Sequence, residues 1–321
     1  MQEKLKNFSH LKRSKVRNII ITDEESGQRI DNFIQRFLPS VPKNRIYNII
    51  RRGEVRINGG RVGPSYKLLC NDKLRLPPVY ENKNVLTKKS IKKNWVLNTI
   101  IFEDKNILVL NKPSGIAVHG GSGINYGVIE CVREVRADLH KASLAHRLDR
   151  ETSGCLILSK KRSALRYLHE KFRSGLIEKN YFALVLGHWE LGEKLFDFPL
   201  LVSYRKGKER HVIVDKKNGK PSKTIFRLIK SNKKYSLLNC QPLTGRTHQI
   251  RVHLSHLGYP ILGDEKYGNF NENKKLRKLG LKRLFLHAQS IAFKDHNDNE
   301  KHFTASLSSD LDNFIDKIFS E

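Results

Sequence analysis

One ten-residue string constrains this chain more than any other: Ala145-His146-Arg147-Leu148-Asp149-Arg150-Glu151-Thr152-Ser153-Gly154. It sets an acid, Asp149, between two arginines, Arg147 and Arg150, then passes through a turn-forming Thr152-Ser153-Gly154 into the apolar Cys155-Leu156-Ile157-Leu158. That order predicts a charged loop feeding a buried strand. Nearby cations favour the ionised form of a carboxylate, so Asp149 is expected to be charged near neutral pH and able to attack an electrophilic carbon. A short Arg-x-Asp-Arg alone would read as a solvated surface ion pair. The length of the whole string is what favours chemistry.

The preceding chain is patterned differently. From Gln28, Ile30, Phe33, Ile34, Phe37 and Leu38 recur with helical period on one face, ended by Pro39. Pro42 suits the first turn of a second helix, which buries Ile46, Ile49 and Ile50, displays Lys43, Arg45, Arg51 and Arg52, and stops at Gly53. Glu54 to Val62 alternates around an Asn58-Gly59 hairpin turn, and Lys73-Leu74-Arg75-Leu76 reads as a further strand. Residues 1–22 are expected to be a basic arm, 23–79 a small domain, 80–98 a lysine-rich linker and 99–321 a large domain.

In the large domain, Ile107-Leu108-Val109-Leu110 predicts a buried strand before Lys112-Pro113, and Val128 to Val135 a helix. The loop Val118-His119-Gly120-Gly121-Ser122-Gly123 lacks the Gly-Lys-Ser/Thr ending of a nucleotide-binding loop and reads instead as a permissive loop beside a cleft. Cys155 to Ser159 should form a central strand, Arg162 to Phe172 an amphipathic helix, and Tyr181 to Gly187 a strand in which Tyr181 is half-buried. The charged stretch 190–220, with Arg205, Lys206, Lys208, Glu209, Arg210 and His211, is expected to be an irregular insertion facing RNA. Thr224 to Ile229 and Tyr235 to Cys240 suit a hairpin, and a helix is expected after Gly245 as far as Gly258. A last amphipathic helix follows residue 307, with Leu311, Phe314, Ile315 and Ile318.

Composition narrows the partners. With 61 Lys and Arg against 32 Asp and Glu, the net charge of +29 suits a polyanion, nucleic acid before an acidic membrane surface; a lysine-rich genome would also raise it. Cys70, Cys131, Cys155 and Cys240 are scattered without a Cys-x-x-Cys pair, which argues against a zinc site or a disulfide framework. His248, His253 and His256 invite a metal, but a helix sets His248 about 140° from His253 and no carboxylate joins them. No apolar run approaches the ~20 residues of a spanning helix. A soluble, cytoplasmic protein without metal or cofactor is expected, with monomer as the default.

The string around Asp149 resembles the H-R-L-D-x-x-T-S-G motif of RluA-type pseudouridine synthases. Thr244-Gly245-Arg246-Thr247-His248-Gln249-Ile250-Arg251, the Lys179-x-Tyr181 pair and Arg283-Leu284-Phe285-Leu286-His287-Ala288 are similar to further blocks of that family. The two small helices, with the ending Arg56-Ile57-Asn58-Gly59, resemble a small RNA-binding domain of the ribosomal-protein-S-four type. The resemblance runs from about Asp23 to Ala305. It implies an α+β catalytic domain with a mixed, mostly antiparallel sheet, and an isomerase that needs no cofactor. It makes Asp149 catalytic, pairs it with Arg251, and gives Tyr181 stacking on the base and a share in proton transfer. Arg147 is assigned to filling the gap left by a flipped base. His146 is given an orienting role, and Arg150 and Arg246 join Lys43, Arg45, Arg51 and Arg52 as RNA contacts. The glycine loop and Tyr126-Gly127-Val128-Ile129-Glu130 look most like the C-type member, implying uridines of large-subunit (23S) ribosomal RNA. Transfer RNA or another ribosomal uridine, a non-catalytic assembly factor, and an RNA methyltransferase are the competing readings. The last would need a strand followed by a glycine-rich cofactor loop, which the chain lacks.

Overall fold

Two periodicities, 3.6 before residue 55 and mostly 2 after residue 100, build two separate units. The computed structural model describes residues 11–23, 25–38, 40–82, 95–120, 126–204 and 210–320. The chain divides into Met1–Lys92 and Lys93–Glu321.

In the first unit, strands β1 (Leu11–Arg13) and β2 (Arg17–Ile20) precede helices α1 (Ile30–Phe37) and α2 (Lys43–Arg51). Then come β3 (Arg56–Ile57), β4 (Gly60–Arg61), β5 (Lys73–Leu76) and β6 (Tyr80–Asn82). Strands pair in the order β2-β5-β3-β4, and β1 pairs with β6. The expected hairpin turn is present: Asn58 and Gly59 both have positive φ (50° and 81°), as a tight turn between twisted strands requires. Ile30, Ile34, Ile46, Ile49 and Ile50 fill the core with Leu74 and Leu76 from the sheet. Each such burial contributes about 1.5–3 kcal/mol. Phe37 departs from the expected apolar stripe. It is 41% exposed at the last residue of the helix, where it stacks on Phe33 with Arg17 over its ring. Parts of the arm expected over 1–22 and of the linker expected over 80–98 are regular elements. Leu11–Arg13 and Tyr80–Asn82 zip together, Arg17–Ile20 joins the sheet, and Trp95–Asn98 is helical with Val96 buried. Pro39, residues 83–94 and Gly121 to Gly123 lie outside the described residues.

The second unit starts with α3 (Trp95–Asn98), β7 (Ile100–Glu103), β8 (Ile107–Lys112), α4 (Val128–Val135) and β9 (Ser143–Leu144). It continues with β10 (Ser153–Ser159), α5 (Arg162–Arg173), β11 (Glu178–Leu186), β12 (Lys194–Asp197), β13 (Leu200–Tyr204) and β14 (Arg210–Val214). The remaining elements are β15 (Lys223–Ser231), β16 (Tyr235–Pro242), α6 (Gln249–His256), α7 (Phe270–Leu279), β17 (Leu286–Lys294), β18 (Glu300–Thr304) and α8 (Ser309–Phe319). The main sheet runs β12-β15-β16-β11-β17-β10-β8-β7, with β9 beside β10 and β18 beside the far part of β17. Its pairings are antiparallel except β10 with β17, so the sheet is mixed and mostly antiparallel as expected. The continuous apolar runs have a cause. Leu108 and Leu110 of β8, with Leu156 and Leu158 of β10, face Val128 and Val132 of α4, whereas Ile107, Val109, Cys155 and Ile157 face Leu168 of α5. Both faces are covered, and alternation is lost.

The stretch 190–220 is not the irregular insertion expected. Lys194–Asp197 is an edge strand of the main sheet, and Leu200–Tyr204 pairs with Arg210–Val214 as a hairpin. Phe196, Leu200 and Val212 of these strands are buried. Arg205, Lys206, Lys208 and Glu209 lie outside the described residues. No helix among the described residues is long and apolar enough to cross a membrane.

Candidate active site around Asp149

The loop carrying Asp149 is tied down before it enters β10. The Thr152 amide donates to the Asp149 carbonyl (3.2 Å), the Gly115 amide to the Arg150 carbonyl (2.9 Å) and Ser114 Oγ to the Glu151 carbonyl (2.7 Å). Beneath it lies Lys112, wholly buried, whose Nζ donates to the carbonyls of Pro113 (2.8 Å), Ile116 (2.8 Å) and Arg150 (3.0 Å). Burial pushes its pKa down to about 7, with Arg283 acting in the same direction. Gly154 then passes so close to Ala288 that a Cβ would collide with its carbonyl oxygen. Gly154 pairs with Ala288 on one side of β17, and Tyr181 pairs with Ala288 on the other. The sheet therefore brings the Asp149 loop and Tyr181 to one place, although 32 positions separate them in sequence. Ser153 Oγ accepts from Arg283 (2.6 Å) and contacts His287 Nδ1 (2.9 Å), which ties the Arg283 to Ala288 block to the same corner.

Opposite stands Arg251 on α6. Its Nε and Nη2 grip the buried Asp264 at 2.7 and 2.8 Å, and its Nη1 lies 3.4 Å from Asp149 Oδ2. A fork held by one carboxylate presents its remaining N–H to another with little loss of freedom. Burial opposes the charge of Arg251, but Asp264 outweighs it and lifts the guanidinium above its ordinary value. Burial likewise opposes ionised Asp264, yet Arg251 and the amides of Tyr267 and Lys266 hold it below the usual carboxylate range. Burial, reinforced by Asp149, pushes the Tyr181 phenol up, so it is neutral at physiological pH.

The other expected residues divide. Arg147 is exposed, and Arg150 turns to Glu151 (2.6 Å), so the nearest cation to Asp149 is Arg251 rather than its sequence neighbours. His146, given an orienting role beside Arg147, faces the protein body. Its Nε2 accepts the Ile157 amide (3.0 Å) and its ring lies 5.0 Å from Phe172. The reason is a gap in the sheet: at Ile157 the edge of β10 between β9 and β17 lacks a strand partner, and the ring satisfies that amide. Burial and Lys179 push the His146 pKa down to about 3. Arg246 donates to the Pro221 carbonyl (3.0 Å) on the surface. Lys43, Arg45, Arg51 and Arg52 are exposed on and beside α2, with Lys43 and Arg51 over the Tyr47 ring.

The three histidines go to different surroundings. His253 is enclosed by Ser222, Thr224 and the Phe198 carbonyl, His256 packs on the Phe198 ring, and His248 meets Tyr267. Among the described residues no group of three or more His, Cys, Asp or Glu is placed to hold a metal ion. Sequence reasoning passed over Lys112, His248, Asp264 and Tyr267. The signal for Asp264 is slight: a polar residue two and three positions before Lys266 and Tyr267, whose amides its carboxylate accepts in a local turn.

An aspartate 3.4 Å from a doubly anchored arginine, with Tyr181 brought to the same corner by β11 and β17, forms the candidate site. Residues 106–256 match the RNA pseudouridylate synthase family and residues 28–74 the S4 domain. The chain belongs to the RNA pseudouridylate synthase family and is an isomerase of that kind. It is 47% identical over 309 residues to ribosomal large subunit pseudouridine synthase C of Haemophilus influenzae, covering 95% of this chain and 96% of that one. It is also 47% identical over 283 residues to the protein of that name from Escherichia coli, covering 87% and 88%. The solved structure of human RNA pseudouridylate synthase domain containing 4 superposes with a TM-score of 0.60 at 25% identity, over 71% of this chain and 96% of that one.

Proposed function

We propose that this protein isomerises specific uridines of large-subunit (23S) ribosomal RNA to pseudouridine in the cytoplasm, as a monomer, with Asp149 as the catalytic carboxylate. The observation that carries this reading is the approach of Arg251 Nη1 to Asp149 Oδ2 at 3.4 Å, between residues 102 positions apart. The relatives that align over nearly the whole chain, named for the large ribosomal subunit, support the choice of RNA.

The reaction breaks the N1–C1′ bond of uridine, turns the base and rejoins it through C5, so it needs no electron acceptor and no second substrate. Asp149 supplies the carboxylate, attacking the base or C1′, or receiving a proton as the sugar loses one at C2′. Arg251 pairs with that carboxylate and orients it. Tyr181, neutral because its phenol is buried, stacks on the base and is placed to move a proton at C5 or C2′. The base must leave the RNA stack to reach Asp149, and exposed Arg147, two residues away, fills the vacated space. The small N-terminal domain, about residues 23–79, adds RNA affinity through Lys43, Arg45, Arg51 and Arg52, beside Arg150 and Arg246 of the catalytic domain.

The test is pseudouridine mapping of large-subunit ribosomal RNA from cells lacking the protein, complemented with wild type or Asp149→Asn. Specific pseudouridines should vanish and return with wild type only. Survival of every ribosomal pseudouridine would move the substrate to transfer RNA; equal restoration by Asp149→Asn would remove the aspartate from the mechanism.

A further inference from the structure

We propose that His248 is a positioning residue that, together with Arg251, engages one oxygen of Asp149 and leaves the other to react. This rests on the reading of Asp149 as the catalytic carboxylate. His248 caps the start of α6 in a left-handed conformation (φ 55°, ψ 21°), a backbone state that few non-glycine residues occupy and that is enriched at functional sites. The turn sends its ring between Tyr267 and Asp149. Nδ1 lies 2.8 Å from the Tyr267 hydroxyl, and Nε2 lies 3.8 Å from Asp149 Oδ2.

The Tyr267 hydroxyl accepts the Val212 amide (3.0 Å) and, in the proposed arrangement, donates its own hydrogen to Nδ1. Burial keeps the phenol protonated, its pKa pushed up to about 12. A neutral imidazole that accepts at Nδ1 carries its hydrogen on Nε2, and here that hydrogen faces Asp149. Neutrality follows from the surroundings: burial pushes the His248 pKa down to about 4, with Arg251 and Lys266 acting with burial and Asp149 and Asp264 against it.

Arg251 Nη1 and His248 Nε2 both approach Oδ2, at 3.4 and 3.8 Å, whereas Oδ1 takes no hydrogen bond from a described residue. Closing the His248 gap by about 1 Å on RNA binding brings Nε2–H within hydrogen-bond range. Oδ2 is then held by two donors, and Oδ1 is the oxygen that meets the nucleotide. An imidazolium in that position would instead pair with the carboxylate and dull it, so the site works with His248 neutral.

The test measures single-turnover release of tritium from C5 of labelled uridines in a large-subunit ribosomal RNA transcript, together with RNA affinity, across pH 3 to 9. Four variants of the full chain are compared with wild type: Asp149→Asn, His248→Gly, His248→Gln and Tyr267→Phe. Glycine removes the ring and suits the left-handed backbone, and glutamine restores an N–H donor. His248→Gly should lower the rate at saturating RNA about 10- to 100-fold with RNA affinity within about twofold of wild type, and His248→Gln should recover part of it. Tyr267→Phe removes a hydrogen bond that favours the neutral ring, so the acid limb of the rate profile should move up by about one pH unit. A His248→Gly protein with the wild-type rate and pH profile overturns the proposal, as does a rate loss no larger than its loss of affinity. If His248→Gly fails to fold, an unmoved acid limb in Tyr267→Phe overturns it alone. Activity in Asp149→Asn would instead overturn the assignment of the carboxylate, a result separable from the others.

Discussion

Single atoms decide much of this architecture. Gly154 has φ 110° and no room for a methyl group against the Ala288 carbonyl, at the one place where β10 runs parallel to β17. Gly154→Ala must either push the two strands apart or twist the Asp149 loop. Chemical denaturation should show a loss of about 3 kcal/mol or more, since backbone strain and a steric clash combine. His253 gives a residue-scale prediction about pH. Its Nε2 faces the Phe198 carbonyl (3.1 Å) and Ser222 Oγ (3.2 Å), its Nδ1 faces Thr224 Oγ1 (3.1 Å), and burial pushes its pKa down to about 4. In the unfolded chain the value returns to about 6.5. The stabilising contribution is therefore complete above pH 6.5 and declines as pH falls toward 4, because the unfolded chain takes up a proton that the native ring refuses. The loss amounts to about 3 kcal/mol at full extent. Urea unfolding at pH 7 and pH 4.5 should show a fall for wild type that is smaller by about that amount in His253→Gln.

Between elements, the decisive link is the buried lysine joining the end of β8 to the loop before β10. Three carbonyls from two segments converge on one Nζ, so Lys112→Met would leave the Pro113 and Ile116 carbonyls without this donor and the Arg150 carbonyl with the Gly115 amide alone, in a water-poor space. Stability should drop by about 2–4 kcal/mol, and the single-turnover rate at saturating RNA should fall at least 10-fold as the Asp149 loop loosens; Lys112→Arg should not restore either, because the guanidinium is too large for the site. Elements are also where the limits of sequence reading lie. The helices α1, α2, α4, α5, α6 and α8 and the strands β15 and β16 were legible because their apolar residues recur with a fixed period, and β8 and β10 because their apolar runs are compact and continuous. Asp149 and Arg251 were legible through the motifs around them. Lys112 was not, because a lysine beside a proline normally signals a surface turn, and only the tertiary fold shows three carbonyls waiting for it. Asp264 and Tyr267 were hidden for the same reason, since their partners Arg251, Val212 and His248 come from other elements. The charged stretch 190–220 misled because its many Lys, Arg and Glu outweigh the few apolar residues, Phe196, Leu200 and Val212, that its short strands bury.

At the scale of the whole molecule, a net charge of +29 on 321 residues makes RNA binding a counterion problem before it is a recognition problem. The first unit carries exposed Arg45 and Arg52 on and beside α2, while Asp149, Arg251 and Tyr181 belong to the second. That separation makes affinity and chemistry independently adjustable. An Arg45→Ala/Arg52→Ala variant removes two cations whose side chains pack against no core residue, so the fold should survive with stability changed by less than about 0.5 kcal/mol. If each arginine neutralises one phosphate of single-stranded RNA, the slope of log affinity against log salt should become shallower by about 0.7 for each, or about 1.4 in all. Affinity should weaken most at low salt and converge with wild type as salt rises. The single-turnover rate at saturating RNA should be unchanged, because neither arginine belongs to the unit that holds the carboxylate. Filter binding of a large-subunit ribosomal RNA transcript from 50 to 300 mM salt, beside the tritium-release assay, measures both quantities. A slope identical to wild type would show that α2 does not face the RNA, and a slower saturated rate would show that the small unit also orders the catalytic one.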